Sequence, residues 1–281
     1  MEYEFVTYET DDNVAVITLN RPEKANAQHF PLLEELNACW ERAAADDDAR
    51  VILLKANGKH FSAGHDMTGV DERAGKESRP SDSPGKGVDL TKMYRREQKM
   101  YLGYSLNWRN MPKPSIAAVQ GKCIAAGLML CWPCDIIIAA DNAEFSDPVL
   151  RLGVAGVEYH AHPWEFGARK AKELLFTGRP ITADVAERLG MVNRVVPLAD
   201  LEDEARALAH EIAQQDPFAL MQAKRAVNQT LDVMGFQTAL QSAFDIHELG
   251  HGAALSRTGY PVLMALSGMK QANAETEGAN A

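Results

Sequence analysis

Apolar positions in the first two thirds of the chain fall into short unbroken runs separated by longer stretches with a helical repeat. Val14–Leu19 reads as a strand ending in the turn-like Asn20-Arg21-Pro22. Leu32, Leu36, Trp40 and Ala43 then recur at i, i+4, i+8 and i+11, which predicts an amphipathic helix closed by the acidic run 46–48. Val51–Leu54, Ser115–Val119 and Ile136–Ala140 predict three more buried strands, and Leu90–Trp108 returns to a helical pattern. Strands alternating with helices imply a sheet covered by helices. From Asp200 onward the pattern is helical almost throughout. Ala205, Leu208, Ala209 and Ile212 mark one helix, and Leu220, Ala223, Val227 and Leu231 mark an apolar stripe on the next. Asp216-Pro217 is a helix start, with a carboxylate cap followed by a proline that needs no N–H partner.

Two stretches break the pattern. Residues 68–88 are rich in Gly, Ser, Pro and charge and have no hydrophobic period, so a mobile surface loop is expected there, either a lid or an insertion without a role. The polar tail 271–281 is expected to be disordered. The expected organisation is an α/β core over 1–200, a helical region over 201–270 and the tail over 271–281.

Composition narrows the function. The 281 residues are 46% hydrophobic and 24% charged, enough for a sizeable core. A net charge of −10, from 29 basic and 39 acidic residues, argues against nucleic acid as a partner. No apolar run reaches the roughly 18–20 residues of a membrane span, so no membrane partner is expected. The first residues, MEYEFVTYET, are acidic and lack an apolar segment, so no signal or transit peptide is expected. Four scattered cysteines do not form a disulfide framework, and the expectation is a reduced, cytoplasmic protein.

Candidate chemistry sits at two glycine-bearing junctions. One is Phe61–Met67 (FSAGHDM), after a strand. The other is Gly121–Leu128 (GKCIAAGL), between a strand and a helical run. Small residues there allow close approach to the backbone, and a helix start offers N–H groups to an oxygen that gains charge. With RPEKANA (Arg21–Ala27), the run Met111–Leu130, CDIIIAADNAEFSDP (Cys134–Pro148) and Leu174–Pro197, these segments resemble, in order, the crotonase superfamily of enoyl-CoA hydratases and isomerases.

The resemblance implies a crotonase-like β-β-α spiral core with two near-perpendicular sheets, a helical C-terminal trimerisation region, and a homotrimer or homohexamer. It implies an acyl-CoA substrate, with no cofactor beyond the coenzyme A moiety and no metal. The N–H groups of His65 and Ala126 match the oxyanion donors of that family, while Lys24, Ala25, Ala63, Asp66 and Met67 match the segment that cradles the nucleotide end of coenzyme A. The two glutamates of the family's hydratases are replaced by Met129 and Val149, neither of which can transfer a proton. Glu158 is the first replacement candidate and His160 the second, with the His65 side chain also able to face the pocket; Asp147, in the FSDP turn, reads as structural. Isomerisation, hydrolysis, decarboxylation, C–C cleavage and unusual hydration all stay open, and a catalytically silent acyl-CoA-binding protein is the alternative.

Two further motifs read as coincidental. His247-Glu248-Leu249-Gly250-His251 has zincin spacing, but Gly250 weakens a helix and only Glu275 and Glu277 follow as possible third ligands. Cys131-Trp132-Pro133-Cys134 has redox spacing but lies between apolar elements, where cysteine is a small buried hydrophobe.

Overall fold

The computed structural model describes residues 3–68, 88–265, 268 and 271–272. Nearly all of the loop predicted as a possible lid, and residues 273–281 of the expected disordered tail, lie outside the described residues, as do Glu275 and Glu277.

Six strands form the main sheet: β1 (Val6–Asp11), β2 (Val14–Leu19), β3 (Val51–Ala56), β4 (Ser115–Val119), β6 (Ile136–Ala140) and β9 (Arg194–Val196). Their spatial order is β1-β2-β3-β4-β6-β9. The β1–β2 hairpin is antiparallel and every other pair is parallel. A second sheet, β5-β7-β8, joins Lys122–Ile124, Glu144–Ser146 and Ile181–Thr182. The unbroken apolar runs of β2, β3 and β4 follow from burial on both faces, as parallel strands under helices require.

Alternation along those strands divides them between two cores. Ala15, Ile17, Leu19, Ile52, Leu54, Ala117 and Val119 share one core with α1 (Phe30–Ala45), through Leu32, Leu36 and Trp40. There Trp40 stacks on Trp108 at 5.9 Å, and the Trp108 indole N–H donates to Asn37. The other face, Val14, Val16, Val51, Leu53, Ile116 and Ala118, is covered by Leu201, Ala205, Ala209 and Ala213 of α7 (Leu201–Ala213). Helix α7 is therefore part of the sheet's own core, and the division expected at 200/201 cuts through shared packing.

Between β3 and β4 the predicted single helix is three pieces: α2 (Leu90–Glu97), a π-helical turn (Gln98–Gly103) and α3 (Tyr104–Asn110). The one-turn α4 (Leu128–Cys131) follows β5. Helices α5 (His162–Thr177) and α6 (Ala183–Leu189) come before β9. Asp147 accepts from the N–H groups of Val149 and Val157, the turn-stabilising role its position suggested. All four cysteines are buried free thiols, and burial pushes those of Cys131 and Cys134 up.

Helix α8 (Pro217–Val233) departs from expectation. Asp216 caps it as predicted, accepting from the Ala219 N–H at 2.8 Å. Its apolar stripe, however, is not buried within the chain. Val227 is 62% exposed, and Leu220, Ala223 and Leu231 line an open groove of about 540 Å³ with Tyr159, Trp164 and Phe236. Periodicity reports which face of a helix is apolar, not what covers it. Helix α9 (Phe236–Thr258) instead buries Phe236, Leu240, Phe244, His247 and His251. Among the described residues no helix is long and apolar enough to cross a membrane.

The stacked tryptophans join α1 to α3 beneath the sheet. Trp108→Ala removes one ring and leaves Asn37 without its indole partner, so a loss of about 3–5 kcal/mol in urea-unfolding stability is expected.

Candidate active site

The two glycine-bearing segments meet because their backbones pair. Ser62 and Cys123 form a parallel bridge: Ser62 N–H donates to Lys122 O, and Ile124 N–H to Ser62 O. No side chain fits between the segments. A Cβ on Gly64 would lie 2.7 Å from Ile124 O and 3.3 Å from Ala126 N, and one on Gly127 would lie 2.7 Å from Ser62 O. Gly64 also has φ +87°, a left-handed conformation that glycine adopts without a Cβ penalty.

Gln28 fixes this junction. Its N–H donates to Gly64 O and its carbonyl accepts from Asp66 N–H, so the two bonds straddle His65 and leave the His65 N–H outside the ladder. Its side-chain amide donates to Ala126 O at 2.9 Å and to Ser62 Oγ at 3.2 Å. Ala126 itself lies in the 3-10 turn Ala125–Gly127 at the start of α4, where the first N–H groups have no partner within the turn. Nothing in the hydrophobic pattern distinguishes Gln28, and the sequence reading missed it.

The segment matched to nucleotide binding is assembled at the same edge. Ala63 N–H donates to Ala25 O, and Lys24, Ala25 and Ala63 face outward or are half-buried. Met67 is half-buried. Asp66 is engaged within the fold: it pairs with Arg21 at 2.6 Å and accepts from Thr68 N–H. Burial raises the Asp66 carboxyl, but the Thr68 hydrogen bonds and the Arg21 guanidinium outweigh it and hold the group at about 2.

The side chain of His65 meets Glu158, which the chain delivers from the loop before α5. Nε2 of His65 is 3.2 Å from Glu158 Oε1 and 3.4 Å from Oε2. The imidazole stacks on Tyr101 of the π-helical turn with centroids 3.9 Å apart, and its Nδ1 has no hydrogen-bond partner among the described residues. Glu158 is buried. Burial alone would raise its carboxyl; the His65 and His247 imidazoles and the hydrogen bond from His65 overcome that and hold it at about 2. Insertion of a π turn into the α2–α3 segment aims Tyr101 here, and periodicity alone predicts no such insertion.

His160 lies outside this pair. Its ring is 4.4 Å from that of His162, and burial pushes it down to about 4. Met129 and Val149 are buried in the same core as Ala126. Behind Glu158 lies a second polar cluster. His247 Nε2 is 3.6 Å from Glu158 Oε1 and 2.9 Å from His251 Nε2, while Glu97, the last residue of α2, comes within 3.8 Å of His251. Burial and the nearby Glu158 and Glu248 carboxylates push Glu97 up to about 10. The sequence motif showed the histidine spacing, but Glu97 is about 150 residues away and carried no signal.

Two sheets with flanking helices, joined by a close backbone junction, define a crotonase-fold protein. The chain belongs to the enoyl-CoA hydratase/isomerase family of enzymes: residues 9–255 match its family model. It is similar to Mycobacterium tuberculosis EchA13, at 44% identity over 259 residues, covering 89% of this chain and 81% of that protein. A short-chain-enoyl-CoA hydratase of Clostridium acetobutylicum is 31% identical, with 91% of each chain covered. Among solved structures, a probable enoyl-CoA hydratase from Mycobacterium thermoresistibile superposes with a TM-score of 0.85 at 59% identity, covering 92% of this chain and 99% of that one.

The Asp66–Arg21 pair ties the 61–67 loop to the turn before α1. With its carboxyl near 2 in the folded chain and 3.8 as the ordinary value, its stabilisation is complete above the ordinary value and is lost as pH falls toward 2. Asp66→Asn should therefore lower the Tm at pH 7, with the gap to wild type narrowing below about pH 4. A gap that stays constant down to pH 2.5 would refute this role.

Proposed function

We propose that the chain acts on an acyl-CoA thioester, holding the carbonyl oxygen between the N–H groups of His65 and Ala126 and moving the adjacent proton with the His65–Glu158 pair. The reading rests on two features of His65. The His65 backbone N–H stands outside the ladder with Gln28, while its imidazole contacts a buried carboxylate at 3.2 Å.

The chemistry follows from the groups available. A carbonyl flanked by two preorganised donors tolerates enolate charge, each donor contributing about 3–4 kcal/mol. A carboxylate held near 2 is a weak base by itself, because efficient proton transfer needs a group matched to the working pH. Its use is to accept from His65 Nε2–H, fixing the tautomer that leaves Nδ1 with a lone pair, and to balance the imidazolium that forms. Nδ1 then removes the proton next to the carbonyl. The proton returns to the same carbon, goes to another along the acyl chain, or is followed by bond cleavage.

This pair stands in place of the hydratase glutamates, whose positions Met129 and Val149 occupy. Isomerisation or C–C cleavage is therefore as consistent with the inventory as hydration. The coenzyme A moiety of the substrate is the one cofactor this reading requires. Lys24, Ala25, Ala63 and Met67 form its nucleotide edge, with Asp66 holding the loop. His160, whose ring lies against that of His162, is given no place in the step.

The family's homotrimer or homohexamer is part of the proposal, and the uncovered stripe of α8 supports it. Val227→Asp should shift the mass measured by light scattering toward monomer while leaving the helical CD signal intact.

The test is deuterium uptake from heavy water by a panel of saturated and unsaturated acyl-CoAs, with product mass followed in parallel. Wild type should exchange. Glu158→Gln should lower exchange by roughly 10²–10⁴-fold, while acyl-CoA affinity changes by less than about threefold. His65→Ala should likewise lose exchange but keep binding, because its backbone donor remains. Acyl-CoA binding by wild type without exchange or product would instead identify a catalytically silent binding protein. Undiminished exchange in Glu158→Gln would remove that residue from the mechanism.

A further inference from the structure

The histidines of the HELGH segment in α9 face each other in a way that neutral imidazoles do not favour. His247 Nδ1 is 2.6 Å from Gly156 O, and His251 Nδ1 is 2.6 Å from Pro261 O. A carbonyl only accepts, so each Nδ1 carries a hydrogen and each neutral ring presents a lone pair at Nε2. Those two nitrogens lie 2.9 Å apart, aimed at one point. Two lone pairs at that distance repel, and the contact is relieved either by protonation of one ring, which then donates to the other, or by a metal cation held between them. A zinc ion about 2.1 Å from each of two ligands would set them about 2.9–3.4 Å apart.

A carboxylate completes the set. Glu97 Oε2 is 3.8 Å from His251 Nε2, and Glu97, only 7% exposed, otherwise pairs with the neighbouring carboxyl of Glu248, from which a metal ion would displace its proton. Ligand atoms of Glu97, His247 and His251 all lie within 4.8 Å of one another. The buried Glu248 lies against Glu97, and the buried Glu158 stands 3.6 Å from His247. Three buried carboxyl groups thus surround the two facing nitrogens, a setting that favours a cation.

We propose that His247, His251 and Glu97 form a binding site for a divalent transition-metal ion, with zinc favoured by the imidazole and carboxylate donors. The carbonyls of Gly156 and Pro261 serve as outer partners that orient the rings, an arrangement typical of metal-binding histidine. Gly250, inside the motif, is needed for packing: a Cβ there would lie 2.7 Å from Gly153 O, so its absence lets α9 press against the loop that carries Gly156. A bound ion would join the end of α2, that loop and α9 immediately behind Glu158. Burial of all three ligands distinguishes the site from the open zinc of a peptidase, which keeps a position for water and substrate.

The test uses the full-length chain and no acyl-CoA, so its result is independent of the thioester reading. Protein stripped with a chelator is dialysed against zinc chloride, desalted and assayed for metal, with the Tm measured with and without zinc. Cobalt(II) is added in a parallel sample to read the ligand field by visible absorption. Expected are one zinc per chain, a raised Tm and a cobalt spectrum of low-coordinate nitrogen and oxygen ligation. His251→Gln and the near-isosteric Glu97→Gln should each weaken zinc binding by at least about tenfold. Failure of wild type to retain zinc, or to give a cobalt spectrum distinct from the free ion, would overturn the site, and this holds even if the variants fail to fold. Equal zinc retention by wild type and both variants would mark an adventitious ion and overturn it as well.

Discussion

Close contact between two backbones, with no side chain between them, is the constraint on which the rest of this structure depends. The 61–67 loop lies along the segment that leads into α4 because Ser62 pairs with Cys123 and because Gly64 and Gly127 present no Cβ to the opposing carbonyls. Parallel strands β3 and β4 hold the two loops at one end of the main sheet, and the side-chain amide of Gln28 ties Ser62 to Ala126 across them. Any widening of this contact would separate the His65 and Ala126 N–H groups. In the donor role we propose for them, these groups act only when their positions are fixed before charge develops.

The same constraint makes the site tolerant of side-chain change. In the proposed mechanism donation comes from the backbone, so a histidine at position 65 is compatible with the donor role and its side chain is free to do something else. Here it reaches a carboxylate from the loop before α5, stacks on a tyrosine from a π-helical turn, and stands in front of a polar cluster from α2 and α9. Polar burial on this scale is costly unless each group finds a partner. Most of these groups do. Glu97 and Glu248 pair with each other, and the exception is the ring nitrogen Nδ1 of His65, at the place proposed for chemistry.

Helices α7 and α8 carry similar sequence signals but have different fates. Each shows a clear apolar stripe, yet α7 lies on the main sheet while α8 leaves its stripe on an open groove. The HELGH motif is the converse case. Its spacing suggested two ligands, with Glu275 and Glu277 as the possible thirds; the third we propose, Glu97, comes from a helix that precedes it by about 150 residues.

The sequence by itself determined the local elements and the family. Apolar runs located β2, β3, β4 and β6 within a few residues, the 3.6-residue repeat located α1 and α7, and Asp216-Pro217 marked the start of α8. These features depend on neighbours close in the chain, so they are written in its order. Ordered motifs also led to the family and to the two backbone segments. Only the tertiary structure decided which side chains meet. The contacts of His65 with Glu158, Gln28 with Ala126 and Glu97 with His251 each join residues far apart in sequence. A one-dimensional pattern records which face of an element is apolar, but not which distant element will lie against it; that is settled when the whole chain packs.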